Sequence, residues 1–213
     1  MGALRQTDAL LTEAADRVQN AASSVLFAVM ATDGGGAMID TLEHVVPHKA
    51  GLLSLGVIDK AGGVSAFAPG RDVPSQTVSF AYLKDEAPAP FKAEVDAGAG
   101  RHLHHKFVVC DFNGAQPVVF CGASNLSRGG EEQNGDSLIA IHDPVIVTAY
   151  AIEAIRLFDH DRFRASQSKA TPAHPLVLKA TDAWADPYYD PRNIRFTERV
   201  LFAQSTAQAA APV

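Results

Sequence analysis

The sequence predicts an α/β protein in which helices flank both faces of a mixed β-sheet. Two apolar runs, at residues 25–30 and 52–58, have the unbroken hydrophobicity of strands that are buried on both sides. A segment with helical spacing of apolar residues lies between them, so the order strand, helix, strand predicts a crossover unit. A turn around Asn113-Gly114 predicts an antiparallel hairpin, which makes the predicted sheet a mixed one.

The first half of the chain alternates between helical and strand patterns. Apolar residues recur at helical spacing over residues 3–22, which predicts an amphipathic helix before the first strand. The glycines at 34–36 break the chain after that strand, and apolar positions from Met38 to Val46 predict a second helix. A further strand is predicted over residues 77–83.

The second half is predicted to complete the sheet and to cover it. The hairpin strands occupy residues 104–111 and 117–121, and a short apolar strand follows at 137–141. Asp143 and Pro144 supply an N-cap and a first-turn proline for a helix. The apolar residues that we expect this helix to bury are Val145, Ala149, Ile152, Ile155 and Phe158.

The predicted domain organisation follows from a change in character near residue 165. Residues 1–164 carry the strand and helix patterns of one domain, whereas prolines and aromatic side chains punctuate residues 165–202. We expect these later residues to form an extended tail that packs its aromatic side chains onto the domain. Residues 203–213 have no periodicity and are expected to be disordered.

Composition and charge narrow the class of protein. A chain of 213 residues with 47% hydrophobic residues has the length of one domain and can bury a sizeable core. The net charge of −6 argues against broad non-specific binding to DNA, but it is compatible with one small basic pocket. Two cysteines cannot form a disulfide framework, which indicates a reducing compartment. Since no apolar run suits membrane insertion and no signal peptide is recognisable, a cytoplasmic location is expected.

A histidine and a lysine two positions apart form the candidate catalytic pair. In a strand, alternation places His104 and Lys106 on one face and Asp111 on the other, where its carboxylate can brace neighbouring backbone. A lysine stabilises phosphate oxygens, and a neutral imidazole can attack phosphorus or transfer protons. The Asn125 amide can donate to the same phosphate, and Asp136 can accept from one imidazole nitrogen and fix its tautomer. This set of groups suits a phosphodiester substrate.

The histidines around this pair do not fit a metal site. His102, His104 and His105 form a histidine cluster, but the binuclear pattern H-x-H-x-D-H that begins at His102 requires an aspartate where Lys106 stands. A cation inside a metal site is unfavourable, so zinc is rejected. The sequence therefore predicts no metal and no other cofactor.

The same residues resemble the motifs of the phospholipase D superfamily. The spacing His104-x-Lys106-x4-Asp111 resembles its HxKxxxxD motif, and Gly-Ala-Ser-Asn at residues 122–125 resembles its downstream G-[SG]-x-N element. Asp136 stands where the family usually has a glutamate that orients the catalytic histidine. The chain departs from the pattern in the alanine after the glycine, in the shorter acidic side chain, and in a longer gap before the glycine.

The resemblance implies a phospholipase D-like fold and a two-step, metal-independent hydrolysis through a phosphohistidine. The catalytic residues that it implies are His104, Lys106, Asn125 and Asp136. The supporting residues that it implies are Asp111, Gly122 and Ser127.

The resemblance also bears on assembly and substrate. Members of the family use two motifs and this chain has one, which implies a homodimer with the active site on the twofold axis. The chain also resembles the C-terminal half of a tandem enzyme, in which case a different polypeptide supplies the second motif or the chain is an inactive half that serves assembly. Small single-motif relatives are often nucleases, so nucleic acid is the favoured substrate. A phospholipid, with lipid phosphodiesterase or transphosphatidylase chemistry, is the alternative.

Overall fold

The computed structural model describes residues 4–30, 38, 41–42, 52–58, 75–79, 103–127, 135–167 and 180–203, and a β-sheet organises them. Its six strands are β1 (Ser24–Val29), β2 (Leu53–Ile58), β3 (Ser75–Ser79), β4 (Phe107–Cys110), β5 (Val118–Gly122) and β6 (Leu138–Ile141). They lie in the order β3-β2-β1-β4-β5-β6. Strands β1, β2 and β3 run parallel to one another. The pairs β1–β4, β4–β5 and β5–β6 are antiparallel, so the sheet is mixed, as predicted.

The strand directions bring several chain connections to the same edge of the sheet. Strands β1, β2, β3 and β5 end at this edge, and β4 and β6 begin there. We call it the carboxyl edge; the strand-terminal residues that define it are Val29, Ile58, Ser79, Phe107, Gly122 and Leu138. Ligand sites of α/β sheets lie preferentially outside the carboxyl ends of parallel strands. The carboxyl edge is therefore the part of the sheet at which a site is expected.

Helices cover both faces of the sheet, which confirms the predicted architecture. The first helix, α1 (Leu4–Asn20), packs Ala14 and Val18 against the face that carries Phe27. A second helix, α2 (Pro144–Gln167), packs Ala151 and Phe158 against the opposite face. Alternate residues of the buried strands thus pack into two separate hydrophobic cores, one on each face of the sheet. Each fully buried large side chain, such as Phe27, stabilises the fold by about 1.5–3 kcal/mol relative to an exposed one.

The buried face of α2 differs from the predicted one. Val145 and Ile152 were expected to point inward, but they are 79% and 58% exposed, whereas Val147 and Ala151 are fully buried. The sequence of the first half of α2, PVIVTAYAIEAI, is apolar around most of the helix circumference. Because such a pattern fits more than one inward face, packing against the sheet decides which residues are covered. Phe158 is buried, as predicted.

Most other predicted elements are present with shifted bounds. Helix α1 ends at Asn20 rather than at residue 22, and β3 begins at Ser75 rather than at residue 77. The predicted helix at 38–46 is described only at residues 38 and 41–42, which are helical, and its remainder lies outside the described residues. No helix in the described ranges combines the length and the apolar content needed to cross a bilayer.

Residues 180–203 differ from the predicted extended tail because they contain regular helical structure. Two short 3₁₀ helices, Asp182–Trp184 and Asp186–Tyr188, lead into helix α3 (Ile194–Ala203). The Asn193 side chain caps α3 by accepting a hydrogen bond from the Arg195 backbone N–H at 3.0 Å, a local signal that favours a helix start. Helix α2 also continues past the predicted boundary at residue 164, and residues 204–213 lie outside the described part.

The end of α3 contacts the loop between β4 and β5. The Asn113 side-chain amide donates to the carbonyl oxygens of Leu201 and Phe202, at 3.4 Å each. The Phe202 ring lies 5.3 Å from the ring of Phe112, measured between centroids. An aromatic side chain of the last helix therefore does pack onto the sheet domain, at the edge opposite the carboxyl edge.

Candidate active site

The strand register brings the candidate catalytic residues to the carboxyl edge. Phe107 of β4 pairs with Cys121 of β5, so the residues just before β4 lie beside those just after β5. Gly122 pairs with Leu138 of β6, so the residues just before β6 adjoin the same place. His104 and Lys106 precede β4, Asn125 follows β5 and Asp136 precedes β6. All four candidate catalytic residues therefore lie at one edge, although they come from three separate stretches of the chain.

Lys106 presents a largely buried cation at this edge. The residue is only 8% exposed, and its Nζ donates to the His104 carbonyl oxygen at 3.0 Å. Nζ also lies 3.2 Å from the sulfur of Met30, the residue that follows β1. A buried ammonium is costly unless it is hydrogen-bonded, and the His104 carbonyl provides one such bond. The charge of Lys106 is therefore located beside the backbone of His104.

His104 is exposed, and it lies outside the β-ladder that the sequence predicted for it. The ladder between β1 and β4 ends at the pair Ala28–Phe107, so residues 103–106 extend beyond the sheet. The prediction that strand alternation itself orients His104 and Lys106 is corrected accordingly, because alternation applies only from Phe107 onward. The exposed imidazole is open to solvent, whereas the lysine beside it is covered.

The turn after β5 positions Asn125 next to the segment that carries Asp136. The backbone N–H groups of Ala123 and Ser124 both donate to the Ser137 carbonyl oxygen, at 3.0 and 3.2 Å. The buried Ser124 hydroxyl accepts from the Leu126 N–H at 3.1 Å, which closes the turn. The Oδ1 atom of Asn125 is buried and makes no hydrogen bond within the described part of the chain. An amide oxygen accepts hydrogen bonds only, so a phosphate oxygen can be contacted by the NH₂ group of this amide and not by Oδ1.

Two of the expected supporting residues lie in or beside this turn. A Cβ atom on Gly122 would collide with the Ser137 carbonyl oxygen, so glycine permits the close approach of β5 to the start of β6. Ser127 is 6% exposed, so it is covered by the surrounding structure.

Asp111, the third expected supporting residue, lies at the opposite edge of the sheet. One carboxylate oxygen, Oδ1, accepts from the N–H groups of Ala22, Ser23 and Ser24 and from the Ser23 hydroxyl, at 2.7–3.2 Å. The Asp111 backbone is left-handed, with φ of 51°, a conformation that aspartate tolerates better than most residues. Asp111 thus joins the end of β4 to the connection between α1 and β1, away from His104.

A polar contact with α2 adjoins the candidate pair, and sequence reasoning missed it. The His105 Nε2 atom lies 4.0 Å from Glu153 Oε1, and Glu153 also accepts two short hydrogen bonds from Arg156. The His105 Nδ1 atom is buried without a hydrogen-bond partner in the described ranges. Burial lowers the pKa of His105 below 6.5, although the Glu153 carboxylate acts in the other direction. The strand parity of His105 in the sequence indicated only that it faces away from Lys106.

Aromatic packing extends this contact along the same face of the sheet. The His105 and Phe107 rings meet edge to face at 6.2 Å, and Phe107 and Tyr150 do so at 5.2 Å. A hydrogen bond with the Cys121 side chain raises the pKa of Tyr150. Helix α2 is therefore connected to the start of β4 and to the end of β5, the two strands that lead to the candidate residues.

The two cysteines lie on opposite faces of the sheet. Cys110 belongs to the core beneath α1, and Cys121 belongs to the core beneath α2. Both are free thiols, and burial raises the pKa of Cys110 far above its ordinary value. Within the described residues, no group of three or more His, Cys, Asp or Glu side chains is arranged to bind a metal ion.

Comparison with known proteins gives structural similarity at low sequence identity. No protein-family model and no curated protein matches the chain. The chain is similar to NucT from Helicobacter pylori, with 14% identity, a TM-score of 0.48, and coverage of 75% of this chain and 92% of that one. It is also similar to Nuc from Salmonella typhimurium, a phospholipase D family member, with 16% identity, a TM-score of 0.40, and coverage of 73% and 86%.

Proposed function

We propose that this chain is a phospholipase D-type phosphodiesterase that cleaves nucleic acid without a metal ion, at a site that two copies of the chain form together. The observation that supports this most directly is that an exposed imidazole, a buried ammonium and a side-chain amide belong to chain segments that lie at the carboxyl edge. These groups belong to His104, Lys106 and Asn125. Their chemical types match the needs of a negatively charged phosphodiester.

His104 supplies the nucleophile in the proposed reaction. An imidazole nitrogen forms a bond to phosphorus while the bond from phosphorus to the leaving oxygen breaks. The His104 imidazole of a second copy gives its proton to that leaving oxygen. It then takes a proton from water, whose oxygen attacks phosphorus and breaks the nitrogen–phosphorus bond. Both imidazoles return to their starting protonation states, which closes the cycle.

Lys106 and Asn125 stabilise the charge on the phosphoryl oxygens. Lys106 is 8% exposed as a residue, so its ammonium acts where the effective dielectric constant is lower than in water and its attraction for an anion is stronger. The Asn125 amide, in the turn that follows β5, donates hydrogen bonds to the same group. Asp136 accepts from the imidazole and fixes its tautomer. This step is proposed from the position of Asp136 before β6, at the same edge.

The second copy of the chain is part of the proposal because the reaction needs two imidazoles of different roles. The described carboxyl edge contributes His104 and, facing α2, His105, whose Nε2 lies 4.0 Å from Glu153. An isologous dimer would bring the His104 residues of both copies to one phosphate. Twofold dimers are also the commonest oligomers.

Parallel cleavage assays on single-stranded DNA, RNA and a choline phospholipid, each with and without a chelator, test the substrate and the mechanism. We expect cleavage of a nucleic acid that survives chelation and that His104→Asn abolishes. His142→Asn, an exposed histidine before α2, is the control and should retain activity. Complete loss of cleavage on chelation would contradict the histidine mechanism. Cleavage of the phospholipid alone would replace the nuclease proposal, and no cleavage of any diester would favour an inactive half-enzyme.

A subunit-mixing experiment tests the shared site. Wild-type chain is refolded with an equal amount of His104→Asn chain, so that heterodimers form. If both imidazoles of a dimer are needed, activity per wild-type chain falls to about half, because half of the wild-type chains then have an inactive partner. Unchanged activity per wild-type chain would show that each chain works alone.

A further inference from the structure

A second surface of the chain combines exposed aromatic rings with arginine side chains. We infer that it binds the bases and phosphates of an unpaired nucleic acid strand, so that substrate is retained outside the carboxyl edge. The inference rests on the proposed function, which supplies the class of ligand. We call the surface the aromatic–arginine cluster; its members are Trp184, Tyr188, Tyr189, Arg195, Phe196 and Arg199.

Guanidinium groups lie over ring faces throughout this cluster. Arg199 is 4.5 Å from the ring centroid of Tyr189 and 5.3 Å from that of Phe196. Arg195 is 5.4 Å from the Tyr188 centroid and donates to its hydroxyl at 3.0 Å. These cation–π contacts orient both arginines without neutralising them. Two oriented positive charges one helical turn apart therefore lie beside aromatic rings on α3.

The largest rings of the cluster are exposed. Trp184 is 63% and Tyr189 is 66% exposed, even though Trp184 contacts Tyr188 and a guanidinium covers one side of Tyr189. Large aromatic side chains are costly to leave in water, and a contiguous exposed group of them commonly marks an interaction surface. Each base of an unpaired strand offers a flat face that stacks on such a ring.

The charges around the cluster favour contact with a few phosphate groups, because this surface is not positively charged throughout. Asp182 and Asp186 are exposed in the same segment, and Arg192 is engaged by Asp190 at 3.0 Å. Glu198 on α3 is buried and is the fourth carboxylate of residues 180–203, so the positive charges that we assign to phosphate groups are limited to Arg195 and Arg199. Two contacts predict a weak salt dependence, with a slope of about −1.4 for the logarithm of the association constant against the logarithm of salt concentration.

An unpaired nucleic acid strand is the occupant that we assign to this combination of groups. Arginine beside stacked aromatic rings is the usual way in which single strands are bound, since guanidinium groups contact phosphates while rings accept bases of any sequence. A duplex hides its base faces, so the surface should discriminate against double-stranded DNA.

The fluorescence of Trp184 provides a direct test, because it is the only tryptophan of the chain. Full-length chain carrying His104→Asn, which prevents turnover, is titrated with short oligothymidylate, oligouridylate and duplex DNA. We expect single strands to quench Trp184 emission, and Arg199→Gln to weaken their binding by about tenfold. Arg17→Gln on α1 makes the same charge change on the other side of the sheet and should leave binding within about twofold.

The outcomes separate this inference from the proposed function. Cleavage of a small synthetic diester, too short to reach the cluster, reports on the carboxyl edge alone and should be the same in Arg199→Gln and wild type. Absence of quenching at saturating oligonucleotide, equal affinity of Arg199→Gln, or binding of duplex alone would overturn the inference. A change of oligomeric state in Arg199→Gln without loss of oligonucleotide binding would assign the cluster to a protein interface instead. Failure of wild type on the small diester would count against the proposed function only.

Discussion

The Lys106 ammonium nitrogen donates a hydrogen bond to the backbone carbonyl oxygen of His104, over a distance of 3.0 Å. The position of the cation is thus coupled to the backbone of the histidine. Replacing the imidazole leaves the acceptor of the lysine in place, so the two side chains can be tested separately. Because a buried cation costs free energy relative to an apolar side chain, Lys106 is a position at which stability and activity should change in opposite directions.

Lys106→Met should abolish phosphodiesterase activity without destabilising the chain. Methionine has a similar length and would pack beside the Met30 sulfur, while no buried charge remains. We expect at least about a hundredfold loss of kcat from the missing charge stabilisation, with an unchanged or higher melting temperature. Stopped assays and thermal unfolding measure the two quantities. Retention of kcat by this variant would remove Lys106 from the site.

Gly122→Ala should disturb the site through the backbone. A Cβ atom at this position meets the Ser137 carbonyl oxygen, which already accepts from Ala123 and Ser124. Separation of β5 from β6 is expected to cost about 1–3 kcal/mol of unfolding free energy and to displace the segment of Asp136. Ala123→Ser is the matched control: residue 123 is exposed, so chemical denaturation should show a change below about 0.5 kcal/mol.

Asp111→Asn should lower stability but leave the intrinsic activity of folded protein intact. The carboxylate oxygen accepts three backbone N–H groups and one hydroxyl, and losing the negative charge weakens each of these bonds. A loss of about 1–2 kcal/mol is expected from denaturant unfolding. Since β4 separates Asp111 from Lys106 by roughly 15 Å, kcat at low temperature should not change. A large fall in kcat with normal stability would show that Asp111 takes part in the chemistry.

His105 should make stability depend on pH just below neutrality. Burial lowers the pKa of His105 in the folded chain below 6.5, with contributions in the same direction from Arg156, Lys106 and His104 and an opposing one from Glu153. Between the folded pKa and 6.5 the unfolded chain binds more protons than the folded chain, so unfolding free energy decreases as pH falls through this window. Below the folded pKa both states are protonated and this contribution levels off.

Urea unfolding at a series of pH values measures this effect. His105→Gln should flatten the dependence in the window, while His142→Gln, an exposed histidine before α2, should leave it unchanged. An identical pH profile for wild type and His105→Gln would contradict the assignment.

Elements that depend on neighbouring residues in the sequence were predicted more accurately than features that depend on tertiary packing. The buried strands β1 and β2 follow from continuous apolar runs, and the β4–β5 hairpin follows from its turn residues, so these elements were predicted well. The inner face of α2 was predicted wrongly because its apolar residues surround the helix. The helical character of α3 was missed because the prolines before it suggested an extended chain, whereas the Asn193 cap and tertiary packing favour a helix.

The sequence by itself determined the chemical groups and the elements that carry them, since residue type and hydrophobic period are local properties of the chain. It specified an imidazole, an ammonium and an amide around predicted strands, and a mixed sheet between helices. Only the tertiary structure decided that β4 lies beside β1, which brings Lys106 to Met30 across 76 residues of sequence. Strand order and direction depend on pairing between distant segments, and that pairing decides which side chains meet at the carboxyl edge and which, like Asp111, are placed at the opposite one.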